Sequence, residues 1–172
     1  GYGSGFRLSM IAPNNRYVND AKIAQAVVIM LAKINIKVDL VTMPKAQYWK
    51  KYDQASSDLM MLGWHSDTED SANFSEMLAM CRNPDSGYGR YNGGHYCNPE
   101  VDRLVSASAK QTNLKKRTQM LQQVEQILYQ DAAFVPLHWQ HLAWGARKGI
   151  NIKDVLTVMN IPYLADLVVA QP

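Results

Sequence analysis

The sequence is short of the features that announce most chemistries. It has two cysteines, Cys81 and Cys97, and no Cys-x-x-Cys or His-Glu-x-x-His spacing. A zinc set collected from His65, Asp67, His95 and Cys97 therefore lacks the usual ligand pattern. Asp67, Glu69, Asp70 and Asn73 resemble a calcium loop but lack its glycine and its closing glutamate. No metal and no cofactor is expected. The Gly-x-Ser-x-Gly elbow is absent, and His65, Ser66 and Asp67 are merely adjacent in sequence, whereas triads are assembled in space. Gly1, Gly3 and Gly5 precede a strand instead of following one, so they form no phosphate loop. No catalytic residue and no enzyme activity is expected, with a hydrolase-like use of Ser66, His65 and Asp67 as the minor alternative.

Charge is also unclustered. The net charge is +3, and the densest basic run, Lys115-Lys116-Arg117, reads as a helix start. Nucleic-acid binding needs a basic stripe or patch, so no nucleic-acid partner is expected. No apolar run approaches the roughly 18 residues of a membrane span. No secretory leader opens the chain, which begins at a glycine. The expectation is a processed protein or an excised piece of a longer one.

What is present suits a folded α/β domain. Apolar residues make up 47% and charged residues 19% of 172 positions. A chain of this length buries roughly 70% of its unfolded surface. Phe6 to Ala12 alternates as a strand. Asn19-Asp20 can cap a helix whose apolar positions recur at Ile23, Ala26, Val27, Met30, Leu31 and Ile34. Asn35 ends it, and Ile36, Val38 and Leu40 alternate as a second strand. Strand, helix and strand in succession imply parallel pairing in one sheet. Pro44 starts a short helix through Tyr48, Trp49 and Tyr52. Asp58 to Gly63 reads as a strand, and its unbroken apolar character suits a sheet covered on both faces.

Asn98-Pro99 opens another helix, with asparagine as cap and proline at the first turn. A further helix is expected over about 114–129. Strands are expected over 133–139 and 142–146, and β-prone pieces at Val155 to Met159 and Leu167 to Val169. Cys81 and Cys97 flank a segment dense in turn formers, which a disulfide would staple, or they are two free thiols.

The most informative stretch is Gly63-Trp64-His65-Ser66-Asp67, at the carboxyl end of the third expected strand. Ligands of open α/β sheets bind beyond that end. Glu69 and Asp70 read as acids at a helix start. Asp67 stands closer to the strand, where a carboxylate beside the Trp64 indole suits an ammonium group. Trp64 reads equally well as core filler.

Five pieces, in order, carry a resemblance to a known family. They are Gly1-Tyr2 with Gly5-Phe6; Ala24 to Val38, with Asn35 replacing the usual glycine; Gly63-Trp64 with Asp67; Cys97-Asn98-Pro99-Glu100-Val101-Asp102-Arg103-Leu104; and Arg117 through Asp131-Ala132-Ala133-Phe134-Val135-Pro136-Leu137. Together they resemble the C-terminal lobe of the family 5 extracellular solute-binding proteins, periplasmic receptors of peptide/nickel-type ABC transporters. The resemblance implies an α/β lobe, a mixed sheet flanked by helices, from a type II periplasmic-binding-protein fold. Residues 1–141 would form the ligand-binding lobe, and 142–172 a tail that in the family returns to the N-terminal lobe, absent here. That tail is expected to pack on another copy or be displaced.

By the same resemblance, Asp67 would pair the ligand's α-ammonium and Trp64 would line the pocket. His65 and Ser66 would tune side-chain choice, and Arg16 would meet the ligand carboxylate. A Cys81–Cys97 disulfide is also implied. The expected ligand is a peptide or another amine-bearing solute, with an opine, an oligosaccharide or a metal chelate as alternatives. The expected partners are the missing N-terminal lobe and a membrane permease, and the expected location is the periplasm.

Overall fold

A computed structural model of the chain describes residues 2–157 and 159–168. Three parallel strands form one sheet: β1 (Phe6–Pro13), β2 (Ile36–Met43) and β3 (Leu59–Met60), in the order β2-β1-β3. β1 and β2 pair along their whole length, from Phe6 opposite Ile36 to Pro13 opposite Met43. β3 is shorter than its apolar run suggests, pairing only Leu59 with Met10 and Met60 with Ile11. One further bond, from the Met61 N–H to the Ile11 carbonyl, continues the ladder before the chain turns away.

Helix α1 (Asp20–Ala32) links β1 to β2, and α2 (Lys45–Asp53) links β2 to β3. The pleat decides which helix each strand residue meets. Met10 and Ala12 of β1, with Met61, pack on Ala24 of α1. Ile11, on the opposite face, packs with Tyr48 and Tyr52 of α2. The run Leu59-Met60-Met61-Leu62 is continuously apolar for this reason: Leu59 and Met61 face the α1 layer, Met60 and Leu62 the α2 layer.

Of the two residues expected to cap α1, Asn19 and Asp20, only the second acts. Asn19 takes a left-handed conformation (φ 57°) and its side chain caps nothing. The neighbouring Asp20 does the work instead, accepting from the N–H groups of Arg16, Tyr17 and Ala21 at 2.9, 3.0 and 2.8 Å. Burial disfavours its charge, but these three donors outweigh that and hold its carboxyl below the usual range.

A second core lies under the helices that follow. Helix α3 (Ser71–Phe74) runs into a π-turn (Ser75–Ala79), then come α4 (Pro99–Ala109) and α5 (Leu114–Gln130). Ala79, Met80, Val101, Leu104, Val105, Val124 and Leu128 are buried together. Asn98 caps α4 through the Glu100 N–H, with Pro99 in the first turn as expected. Cys81 and Cys97 are joined in a disulfide that closes the loop between the π-turn and α4.

The strands expected over 133–139 and 142–146 are absent: residues 133–147 have no regular structure. Their apolar and aromatic residues suit a strand, but no edge of the sheet receives them. An unpaired strand gains too little to offset its ordering entropy. Trp139 is 93% exposed and Val135 76%. Further on, short 3₁₀ turns at Ile152–Val155 and Leu164–Asp166 flank an antiparallel bridge between Leu156 and Pro162. Val158 and Val169, within the β-prone pieces named above, lie outside the described residues, as does Gly1. Among the described residues, the hydrogen bonds of 142–168 close within that stretch, such as Trp144 Nε1 to Asn160 Oδ1 at 3.0 Å.

Candidate ligand-binding site

Three loops meet beyond the carboxyl ends of β1 and β3. The first is the turn after β1. Its Asn14 N–H bonds the Met43 carbonyl, its Asn15 side chain accepts from the Lys45 N–H, and Asp20 gathers the N–H groups of Arg16 and Tyr17. These bonds fix where Arg16 and Tyr17 project. The Arg16 guanidinium lies over the Tyr17 ring, 4.9 Å from its centroid.

The second loop follows β3. The Tyr17 hydroxyl donates to the Gly63 carbonyl at 3.3 Å, and the ring lies so close that a Cβ on Gly63 would sit 2.7 Å from Tyr17 Cε1. Any larger residue there must displace the ring. The Trp64 indole is half-buried, donates to Asn73 Oδ1 at 3.0 Å, and meets the Tyr91 ring at a 5.4 Å centroid distance.

The third is the disulfide loop. Asn92 is buried and acts as its hub. It donates to the Met80 and Tyr96 carbonyls and accepts from the Tyr96 N–H. The Tyr91 carbonyl accepts from the Tyr52 hydroxyl at 2.6 Å. Burial raises the Tyr52 phenol, which keeps this donor protonated. Backbone and side-chain bonds thus hold Tyr91 on both sides, with Arg90 5.7 Å from its ring centroid.

Between these loops and α2 lies a cleft of about 580 Å³, lined by Arg16, Trp49, Asp53, Arg82, Arg90 and Tyr91. Its volume is in the range of small-molecule sites. Among the described residues the ion pairs are Arg7–Asp39, Arg103–Glu100 and Arg117–Asp70, so none of the three cleft arginines is paired.

Of the residues picked out in the sequence, Arg16 lines this cleft and Trp64 adjoins it through Tyr91. His65 and Asp67 are exposed on the turn beyond, and Asp67 makes no hydrogen bond or ion pair among the described residues. Ser66 is a loop staple: its hydroxyl donates to the Asp70 carbonyl at 3.0 Å and accepts from the Asp70 N–H at 3.2 Å. Asp70 caps α3 through the Ala72 N–H, as its place before Phe74 suggests. Sequence reasoning missed Arg82 and Arg90. The available signal was two arginines inside a cysteine-bounded loop, with an aromatic beside one of them.

The architecture is an α/β lobe, with Arg16 of the cleft on the turn after β1 of a parallel sheet. Residues 1–86 match the model of the bacterial extracellular solute-binding proteins, family 5 Middle, and the chain belongs to that family. It is 30% identical over 120 residues to di/tripeptide-binding protein 1 of Pseudomonas aeruginosa, a match covering 70% of this chain and 22% of that protein. Heme-binding protein A of Haemophilus influenzae is 28% identical over 140 residues, covering 80% of this chain and 25% of that one. The chain therefore spans about a quarter or less of the curated relatives it matches. Among solved structures, the dipeptide-binding protein of Pseudoalteromonas sp. SM9913 in complex with Met-Leu superposes with a TM-score of 0.69 at 26% identity. That superposition covers 77% of this chain and 26% of the other. The family consists of substrate-binding transport proteins.

Proposed function

We propose that this chain is the ligand-binding lobe of a periplasmic receptor that delivers peptides to an ABC transporter permease. The observation that carries the reading is the meeting of three loops beyond β1 and β3. There Arg16 borders a cleft and Trp64 packs on Tyr91, in a chain related to di/tripeptide-binding proteins. Asp67 pairs the peptide's α-ammonium, and its lack of a partner among the described residues supports this. Arg16 takes the terminal carboxylate and Trp64 forms an apolar wall. His65 and Ser66 border the side-chain space, Ser66 by fixing the turn on which Asp67 sits.

A second lobe closes over the cleft, excludes water and strengthens both charge pairs. Residues 142–172 belong with that lobe, a reading supported by the exposed apolar side chains of Leu142, Trp144, Ile161, Tyr163, Leu164 and Val168. A closing clamp gains only its differential affinity for the closed state, so the isolated chain binds peptide weakly.

The test is calorimetric titration of the two-lobed protein with a free-amine dipeptide and with its N-acetylated form. Asp67→Asn should weaken the free-amine peptide by about tenfold or more. Unchanged affinity in Asp67→Asn, or equal binding of the acetylated peptide, would sink the assignment.

A further inference from the structure

The cleft is more cationic than a single peptide carboxylate requires. Arg16, Arg82 and Arg90 line it and Asp53 is its one acidic lining residue, leaving two guanidiniums in excess. A neutral dipeptide brings one carboxylate, for which Arg16 suffices. We infer that Arg82 and Arg90 form a second anion-recognising subsite, which makes acidic peptides the preferred ligands. The inference rests on the peptide-receptor reading above.

Three observations carry it. No carboxylate of the described residues pairs with either arginine, so both are available to an incoming anion. Both project from a loop that is already ordered. Its ends are joined by the Cys81–Cys97 disulfide, its interior by Asn92, and Tyr91 between Arg90 and Asn92 is pinned by Tyr52. Little loop entropy is therefore lost on binding. Finally, the backbone under Arg82 is tightly fitted: a Cβ on Gly89 would stand 2.5 Å from the Met80 carbonyl oxygen and 2.9 Å from Arg82 Cα. With φ at +63°, Gly89 lets the two arms of the loop come together, and Arg82 and Arg90 line the same cleft.

A planar guanidinium presents a donor fork that matches a carboxylate. Two of them beside Tyr91 and Trp49 suit the carboxylate of a Glu or Asp side chain, with the rings taking its methylene stem. Asp53, which also lines the cleft, repels an anion placed beside it and so helps fix where the acid sits.

The experiment is titration of the two-lobed protein with Ala-Glu and with its neutral isostere Ala-Gln. Ala-Glu should bind about tenfold more tightly, the size of one added charge-assisted contact. The preference should shrink in about 1 M salt, where the screening length is about 3 Å. Arg82→Gln/Arg90→Gln should remove most of it. Arg82→Glu/Arg90→Glu should turn the preference toward Ala-Lys, a gain that misfolding cannot imitate. Equal binding of Ala-Glu and Ala-Gln, or a preference that survives in the double glutamine variant, overturns the acidic subsite and leaves the peptide receptor standing. A folded protein that binds no dipeptide overturns both.

Discussion

Arg117 of α5 reaches across the domain to Asp70, the N-cap of α3, with 2.6 Å between Nη1 and Oδ2. The same carboxylate accepts from the Ala72 N–H through its other oxygen, at 2.9 Å. One acid thus starts the helix after the Trp64 segment and ties that segment to the second core. The side chains are 25% and 33% exposed, so screening keeps the pair to about 1 kcal/mol. Asp70→Ala loses cap and pair together and should cost about 2 kcal/mol; Arg117→Met should cost about 1 kcal/mol.

The pH dependence follows from the same contact. The hydrogen bond from Arg117 is the main influence holding the Asp70 carboxyl below its ordinary value. A depressed folded-state pKa gives stability that is complete above the unfolded value, about 3.9, and fades as pH falls through the folded one. The stability gap between wild type and Arg117→Met should be flat from about pH 7 to 5 and narrow below about pH 4. Urea denaturation across that range measures it, and a constant gap would remove the pair from the account.

The elements that sequence periodicity revealed are those whose side chains meet near neighbours in the chain. The apolar spacing of Ile23 and Val27 gave α1, and Asn98-Pro99 gave the start of α4, because those signals act within a turn or two. The segment Ala133 to Ala146 misled. Its apolar and aromatic composition suits a strand, whereas a strand also requires an edge to pair with, and this sheet ends at β2 and β3. The cleft was half legible. Trp64 lies just past a strand end, where position carries meaning, and Arg16 came from the family resemblance. Arg82 and Arg90 join them through a disulfide, a buried asparagine and a tyrosine from α2, and no local pattern encodes that convergence.

The disulfide should be a major source of stability. It spans a sequence separation of 16 residues, for which loop-closure entropy gives about 3 kcal/mol. In a chain of this size that is a fall of roughly 10 °C in melting temperature on reduction or in Cys81→Ser/Cys97→Ser. Amide exchange should quicken in residues 82–96 before it does in α4 or α5. Identical melting with and without reductant would show that the Asn92 hub alone holds the loop.

Gly5 and Asn35 should rank very differently as mutation sites although they touch. Asn35 closes α1 in the left-handed region at φ 63°, which asparagine tolerates and glycine adopts freely. Asn35→Gly should stay within about 1 kcal/mol of wild type, whereas Asn35→Val should cost about 1–2 kcal/mol. Gly5 has φ 77°, and a Cβ there would fall 1.9 Å from the Asn35 carbonyl oxygen, a backbone atom that cannot swing aside. Gly5→Ala should therefore cost more than either Asn35 variant, upwards of about 2 kcal/mol by chemical denaturation. A reversed order would mean that the turn before β1 re-forms freely.

Gly63 offers a way to move Arg16 without mutating it. Its missing side chain leaves the space that the Tyr17 ring occupies, and that ring carries the Arg16 guanidinium on its face. In Gly63→Ala the new methyl must displace the ring, because Cβ and Cε1 would otherwise stand 2.7 Å apart. Tyr17 lies at the domain surface and its hydroxyl bond to the Gly63 carbonyl is long, at 3.3 Å, so the shift should cost only about 1 kcal/mol of stability. Peptide affinity of the two-lobed protein should fall by about fivefold or more, since a guanidinium moved by an ångström loses its bidentate fit. Adding Tyr17→Ala, which empties the contested space, should restore stability and leave affinity low, because Arg16 then has no ring to rest on. If Gly63→Ala binds peptide as wild type does, the order imposed on Arg16 by its neighbours has no part in recognition.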